Sequence, residues 1–346
     1  MSGGVDSSVA AVLLCEAGHD VVGVSMQLYD QREGQASFGS CCTLDDLHDA
    51  RRVAAAIGIP HYIVNLERQF EERVVADFVQ EYLRGRTPLP CVHCNSELKF
   101  DALVERARGV GADAVATGHY ARVERTPGSC RLRRGVDAGK DQSYFLFSLT
   151  QAQLSLALFP LGGLTKTEVR ALARERNLPV AAKRDSQEIC FVSNDDYAGF
   201  IARRVPGADR PGTIVNETGR VVGRHDGVHR FTIGQRKGLR VSARVPLYVT
   251  AMDADSNTVF VGPRARLERT TLTASRVNWI AGAPPASSIR AAVQIRSRHV
   301  AAPAVVEVSA AGRVEVQFDD PQGAITPGQA AVFYMDDEVV GGGWID

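Results

Sequence analysis

Met1-Ser2-Gly3-Gly4-Val5-Asp6-Ser7-Ser8 opens the chain, and its reading decides how the rest is read. Gly3 and Gly4 carry no Cβ, so the backbone there can turn tightly and approach a ligand closely. Asp6, Ser7 and Ser8 are favoured at a helix N-terminus, and residues 9–17 read as that helix, stopped by Gly18. A glycine turn feeding a helix start presents unpaired N–H groups and the positive end of the helix dipole, which suits a phosphate. No lysine follows the glycines, so the stretch is not the G-x-x-x-x-G-K-S/T loop. A Gly/Ser turn before an ordinary helix is the plainer alternative, and the six specified residues 2–7 argue against it.

Working outward, residues 21–26 form a short apolar run suited to a buried parallel strand. Residues 43–57 read as an amphipathic helix closed by Gly58 and Pro60, 61–65 as the next strand, 70–83 as a helix, and 113–118 as another strand. Strands alternating with helices indicate an open, doubly wound parallel sheet with ligands at the carboxyl ends of the strands. The glycine loop of such a sheet follows a strand, yet only Met1 precedes it here. The expectation is a lost first strand or a start recorded too late.

At 346 residues the chain is long enough for two or three domains. Lys plus Arg and Asp plus Glu stand at 40 each, so no global field steers nucleic acid and any RNA surface must come from local clustering. Seven cysteines without a signal-like apolar segment point to the reducing cytoplasm, where paired cysteines more often bind metal or catalyse than form disulfides. No apolar run approaches the ~18 residues of a membrane span.

Pro88-Leu89-Pro90-Cys91-Val92-His93-Cys94-Asn95 is a C-x-x-C bounded by prolines, expected in a loop. It reads as a zinc half-site or a redox pair, although no second C-x-x-C or H-x-H completes four ligands. The distant candidate thiol is Cys190, in a polar context beside Lys183 and Arg184, whose charges would lower a thiol pKa. Cys15 falls on the apolar face of the first helix, while Cys41, Cys42 and Cys130 are expected in loops.

Ser2-Gly3-Gly4-Val5-Asp6-Ser7 resembles the pyrophosphatase loop of enzymes that split ATP into AMP and pyrophosphate. Further stretches extend the likeness along nearly the whole chain. They are Cys94-Asn95-Ser96-Glu97-Leu98-Lys99-Phe100, Thr117-Gly118-His119-Tyr120-Ala121-Arg122, Lys140-Asp141-Gln142-Ser143-Tyr144-Phe145-Leu146 and Phe159-Pro160-Leu161-Gly162. Asp185-Ser186-Gln187-Glu188-Ile189-Cys190-Phe191, Thr232-Ile233-Gly234-Gln235-Arg236-Lys237-Gly238-Leu239 and Thr326-Pro327-Gly328-Gln329-Ala330-Ala331-Val332-Phe333-Tyr334 complete the set. In this order they resemble the tRNA-specific 2-thiouridylase family.

The resemblance implies an α/β catalytic domain of the ATP-pyrophosphatase (adenine nucleotide alpha hydrolase-like) type over 1–197. A small β-rich central tRNA-binding domain over 198–268 and a C-terminal β-barrel over 269–346 follow. It implies ATP and Mg2+, with ATP bound by Ser2, Gly3, Gly4, Val5, Asp6, Ser7, Ser8, Met26 and Gly118. Asp6 suits magnesium or pyrophosphate, and equally a simple helix cap. The implied substrate is the wobble uridine of tRNAs for Lys, Glu and Gln, adenylated at its C2 oxygen and then attacked by sulfur. Cys190 would carry a persulfide supplied by a cysteine desulfurase or sulfur-relay protein, and Cys94 would be the partner thiol. Leu89, Pro90 and Cys91 match the target-base segment; His119, Lys140, Asp141, Gln142, Arg296, Ser297 and Gln329 match tRNA contacts. Cys91 stands where many family members carry Asp, so Cys91, Cys94 and Cys190 offer three thiolates for a 4Fe–4S cluster as the alternative to the persulfide pair.

Local charge fits an RNA surface: residues 183–244 hold twelve Lys/Arg against seven Asp/Glu, and 122–140 hold six against two. A solvated charged face is the commoner meaning of so mild an excess. Residues 165–177 read as a helix capped by Thr165, and 289–295, 304–308, 314–318 and 330–334 as barrel strands, with 281–286 a loop. An argininosuccinate, GMP or NAD synthetase shares the ATP loop but needs no pair of distant cysteines. A tRNA-binding protein that has lost thiolation needs neither Cys94 nor Cys190.

Overall fold

The protein is described from a computed structural model covering residues 1–29, 44–109, 111–184, 189–192, 196–309 and 312–346. Cys41 and Cys42 lie outside the described residues. Helix α1 (Val5–Glu16) begins four residues earlier than local propensity predicts. Gly4 is its N-cap with extended backbone and no side-chain cap, while Ser8 Oγ turns back to donate to the Gly4 carbonyl at 2.8 Å. Asp6 is therefore not a cap; it sits in the first turn, where its charge suits the helix dipole.

Strand β1 (Gly23–Gln27) pairs in parallel with β2 (His61–Asn65), and helix α2 (Leu44–Ile57) crosses between them. Leu47, Ala50, Val53 and Ala54 form the buried stripe of α2, the i, i+3, i+4 spacing of a helix packed on a sheet. Residues 67–83 form a continuous helical run, with a π-helical turn at Glu71–Val75. The strand expected over 113–118 is only β3 (Val115–Ala116), paired in parallel with β6 (Ala157–Leu158). The expected sheet thus stands as two parallel pairs. Met1 lies against β1, its amino group donating to the Val24 carbonyl and its carbonyl accepting from Ser25 Oγ at 2.6 Å.

Between β3 and β6 the chain makes a hairpin, β4 (Ala121–Thr126) and β5 (Ser129–Arg134). Cys130, expected in a loop, is buried in β5 because its side chain falls on the hairpin's inner face beside Leu132. After helix Tyr197–Arg204 come β7 (Gly212–Asn216), β8 (Val221–His225), β9 (Tyr248–Asp253) and β10 (Thr258–Gly262), ordered β8-β7-β10-β9 with β7 and β10 parallel. Ile214, Val249, Val259 and Val261 fill the core of this middle unit.

The last six strands are β11 (Glu268–Trp279), β12 (Ser288–Gln294), β13 (Ala302–Val308), β14 (Val314–Gly323), β15 (Ala330–Met335) and β16 (Glu338–Ile345). They run β11-β14-β13-β12-β15-β16, and β16 pairs again with β11, closing a barrel that leaves no open edge within the ring. Val314, Val316 and Phe318 point inward along β14 while Glu315 and Gln317 point out, the period of a half-buried strand. The start of β16 also pairs with β5, so the hairpin of the first unit is stitched to the barrel. One core holds Leu132, Tyr144 and Phe147 together with Val332, Tyr334 and Trp344. Tyr144 donates its hydroxyl to the Ala330 carbonyl at 3.0 Å, and burial pushes its pKa far above the usual phenol value. Among the described residues no helix is long and apolar enough to cross a membrane.

Candidate active site

The opening loop is held by close backbone approaches. Gly3 has φ +67°, and a Cβ there would lie 2.2 Å from the Asp46 carbonyl oxygen at the start of α2. Gly118, at the end of β3, presses on the loop from another side, since a Cβ on it would meet the Asp6 and Ser7 main chain at 2.8 Å. Both contacts admit only hydrogen. The loop so fixed borders a cavity of about 220 Å³ lined by Ser2, Gly4, Asp6, Lys140, Gln142 and Lys183. That is below the ~300 Å³ at which pockets begin to hold a whole drug-sized ligand. It suits the phosphate end of a nucleotide.

Two lysines that the sequence does not mark as phosphate residues contact the loop: Lys183, which lines the cavity, and Lys166, which pairs with its wall residue Asp6. Lys166 Nζ donates to both carboxylate oxygens of Asp6 at 2.8 Å, and Tyr120 donates its hydroxyl to the same carboxylate at 2.8 Å. Lys183 Nζ donates to the Gly3 carbonyl at 3.1 Å, to Asp46 at 2.6 Å and to Asp49 at 2.7 Å. Lys183, expected from its place in the sequence to lower the Cys190 thiol pKa, makes these contacts at the glycine loop. Lys166 follows Thr165, whose capping box with Glu168 starts helix Lys166–Glu175 and fixes where that lysine emerges.

The proline-bounded C-x-x-C is a helix, not a loop. Pro90 occupies the first turn of Pro90–His93, where its missing N–H costs nothing. The helix continues π-helical through Cys94–Ala102, a geometry that recurs at functional sites. It is pinned by His93 stacking on Trp344 at 4.8 Å, by Asn95 donating to the Phe145 carbonyl at 3.0 Å and by Gln153 donating to the Ser96 carbonyl at 2.8 Å. Cys94 packs against the same core cluster as Cys190 and Met26, centred on Phe70, Phe78 and Leu98. Phe191 holds Cys190 there, meeting Phe70 and Phe78 edge-on at 5.3 and 5.0 Å, each such pair adding about 0.5–1.5 kcal/mol beyond burial. Residues 185–188 lie outside the described residues.

Cys91, three residues before Cys94 in the same helical run, is exposed, and no group of three or more His, Cys, Asp or Glu among the described residues is placed to hold a metal. Cys94 and Cys190 pack on the core while Cys91 is exposed, and the three thiols expected to hold a 4Fe–4S cluster do not form a group placed to hold a metal among the described residues.

The residues expected to face tRNA divide by what they touch. Lys140 and Gln142 line the cavity. Asp141 is fully engaged within the protein by Arg134 at 3.0 Å, the Gly135 N–H at 2.9 Å and Ser143 Oγ at 2.9 Å. Gln329 donates to the Thr87 carbonyl at 3.1 Å and so ties the barrel to the segment leading into Leu89-Pro90-Cys91. Arg296 donates to the Gly323 carbonyl at 3.0 Å, and the Ser297 carbonyl accepts from Gln294 at 3.1 Å.

His119 is buried, with Nδ1 2.7 Å from Thr117 Oγ1. Burial, then the nearby charge of Lys99, holds its pKa well below the ordinary value. Burial also lowers His225 and His229 in the middle unit. For a histidine whose folded pKa is depressed, the unfolded chain takes up the proton first. Its contribution is complete above the unfolded value of about 6.5 and is lost as pH falls below it, at up to about 1.4 kcal/mol per pH unit for each group. Thermal melts are expected to be flat from pH 8 to about 6.5 and to fall steeply toward pH 5; a melting temperature that rises on acidification contradicts this assignment.

Comparison with known proteins bears on these features. Residues 1–194 match a family profile described as the tRNA methyl transferase HUP domain, 198–263 its PRC-barrel domain, and 269–345 an aminomethyltransferase β-barrel domain. The tRNA-specific 2-thiouridylase MnmA of Solibacter usitatus is 55% identical over 363 residues, covering 100% of this chain and 98% of its own. Those of Geobacter metallireducens and Geotalea uraniireducens are 52% and 53% identical, each over 100% of this chain and 95% and 93% of theirs.

The chain belongs to the tRNA-specific 2-thiouridylase family. The 2-thiouridylases are tRNA sulfurtransferases, and the architecture is theirs throughout: a HUP-type first domain, a PRC-barrel middle domain and a closed C-terminal barrel. A solved NMN synthetase from Francisella tularensis aligns over 53% of this chain and 62% of its own at 17% identity and TM-score 0.32. Lys166, Asp46 and Tyr120 are the site residues that sequence reasoning missed in this 2-thiouridylase. Only Tyr120 had a signal, its place in the Thr117–Arg122 stretch.

Proposed function

We propose that this protein uses ATP to thiolate C2 of the wobble uridine in the tRNAs for Lys, Glu and Gln, working in the cytoplasm. The observations that carry this are the packing of Cys94, Cys190 and Met26 on one core and the cation-lined cavity at the glycine loop. The loop N–H groups and the start of α1 receive the phosphates. Met26 and Gly118 border the nucleoside end, and Leu89-Pro90-Cys91 presents the flipped base.

The uridine C2 oxygen attacks the α-phosphorus, the bond to the β-phosphate oxygen breaks, and pyrophosphate leaves with the electron pair. The terminal sulfur of a Cys190 persulfide, loaded by a cysteine desulfurase or relay protein, then attacks C2. The Cys94 thiolate attacks Cys190 Sγ and breaks the persulfide S–S bond, leaving the transferred sulfur on C2 as AMP departs. A Cys94–Cys190 disulfide results, and an external thiol must reduce it by two electrons before the next cycle. Mg2+ reaches such sites mainly on the phosphates and with few carboxylates. Asp6 would hold it here only by exchanging its Lys166 partner for the ion, which would offset phosphate charge. Two thiols on one core fit sulfur transfer.

ATP-dependent thiolation of unmodified tRNA-Lys, scored by retardation in a mercury-containing gel, tests the proposal; pyrophosphate release without a retarded band would reject sulfur transfer. Because Cys91 is exposed and is not among the residues packed on the thiol core, Cys91→Ser is expected to keep wild-type activity within about twofold under anaerobic conditions. Loss of thiolation with ATP and tRNA binding intact would restore the three-thiolate cluster.

A further inference from the structure

We propose that Lys183 is the cation of the nucleotide loop, turning from Asp46 and Asp49 to the phosphate chain of ATP and charging the site for pyrophosphate departure. This rests on the ATP-using reading above. The loop lacks a lysine after its glycines, and a leaving pyrophosphate needs a positive group nearby. Lys183 occupies that place from far along the chain: its ammonium reaches the Gly3 carbonyl at 3.1 Å and lines the cavity beside Ser2 and Gly4.

Its charge rests on Asp46 at 2.6 Å and Asp49 at 2.7 Å. Both acids are carried by α2, whose first turn is locked against Gly3. Burial works against the charged form of Lys183, but the two carboxylates outweigh it, so the amine titrates above its ordinary value. An ammonium on a flexible stem, with three donors, can exchange one carboxylate for a phosphate oxygen without backbone movement. Lys140 and Arg184 also line the cavity, and Lys166 pairs with Asp6 at its wall, so an entering polyphosphate meets cations already in place. As the α-phosphorus bond to the β-phosphate oxygen breaks, the electron pair collects on pyrophosphate, and Lys183 stabilises that charge.

Single-turnover pyrophosphate release from ATP with unmodified tRNA, and titration with inorganic pyrophosphate alone, test this. Lys183→Met is expected to slow release by about 100-fold or more, with tRNA affinity unchanged and the melting temperature within a few degrees. Lys183→Arg should recover part of the rate. Asp49→Asn loosens the resting pair and is expected to bind inorganic pyrophosphate severalfold tighter than wild type. A lysine that merely struts α2 gives the opposite pattern: weaker pyrophosphate binding in Asp49→Asn, and loss of melting temperature and tRNA affinity together in Lys183→Met. That pattern overturns the proposal, as does wild-type release by Lys183→Met. If wild type itself releases no pyrophosphate from ATP and tRNA, the ATP reading falls and this proposal with it.

Discussion

Cys190→Ser is expected to release pyrophosphate from ATP and tRNA while forming 2-thiouridine at least about a thousandfold more slowly than wild type, the scale of removing a covalent nucleophile. The exchange of sulfur for oxygen changes little in volume, and Phe191 continues to anchor the segment between Phe70 and Phe78. Adenylation, which in the proposed mechanism uses the loop and not the thiols, is expected to survive. Cys94→Ser is expected to be equally inactive in thiolation but to differ in one respect. Its Cys190 still accepts sulfur, so intact-mass measurement after incubation with a desulfurase and cysteine should find one extra sulfur atom, absent from Cys190→Ser. Thiolation by Cys190→Ser at more than a few per cent of wild type would remove Cys190 from the reaction. An extra sulfur on Cys190→Ser in place of Cys94→Ser would reverse the two roles.

Much of this site could be read locally, and what was missed is long-range. Thr165 and Glu168 announce their helix because both halves of the capping box lie within four residues. The strand His61–Asn65 was legible because turn residues bound it. The start of α1 was not. Asp6, Ser7 and Ser8 have cap propensity, but Lys166 and Tyr120, more than a hundred positions away, claim Asp6 for an ion pair and let the helix begin at Val5. Cys130 hid in a hairpin whose burial comes from the C-terminal barrel. Strand β11 was hidden by its many polar residues and β16 by Gly341-Gly342-Gly343. Only closure of the ring makes those segments strands. Lys183 was noticed for its neighbour in sequence, Cys190, whereas its partners in space are Gly3, Asp46 and Asp49.

The loop itself makes the other large prediction, and its two glycines are expected to respond very differently. Gly3→Ala should lower kcat/KM for ATP by about 100-fold, or about 2.7 kcal/mol. Its φ of +67° costs an L-residue roughly 1–2 kcal/mol. The new methyl also points at the Asp46 carbonyl oxygen, 2.2 Å from where it would sit. That atom is main chain, so either α2 or the loop must shift, and the Lys183 contacts to Gly3 and Asp46 shift with it. Gly4→Ala meets none of this. Gly4 has φ −94°, and its nearest neighbour would be Ser2 Oγ at 3.5 Å, an ordinary contact. What remains there is a poorer helix cap, a loss of less than about 1 kcal/mol, so kcat/KM should fall no more than severalfold. Gly118→Ala belongs with Gly3, because its methyl would strike the Asp6 and Ser7 main chain at 2.8 Å from the rear. Steady-state ATP kinetics on the three variants decide the matter. If Gly4→Ala is as damaged as Gly3→Ala, flexibility of the loop is what matters, and not its close seat between Asp46 and Gly118. If Gly3→Ala and Gly118→Ala are damaged and Gly4→Ala is not, the loop works as a rigid cradle whose shape is set by the two elements pressed against it.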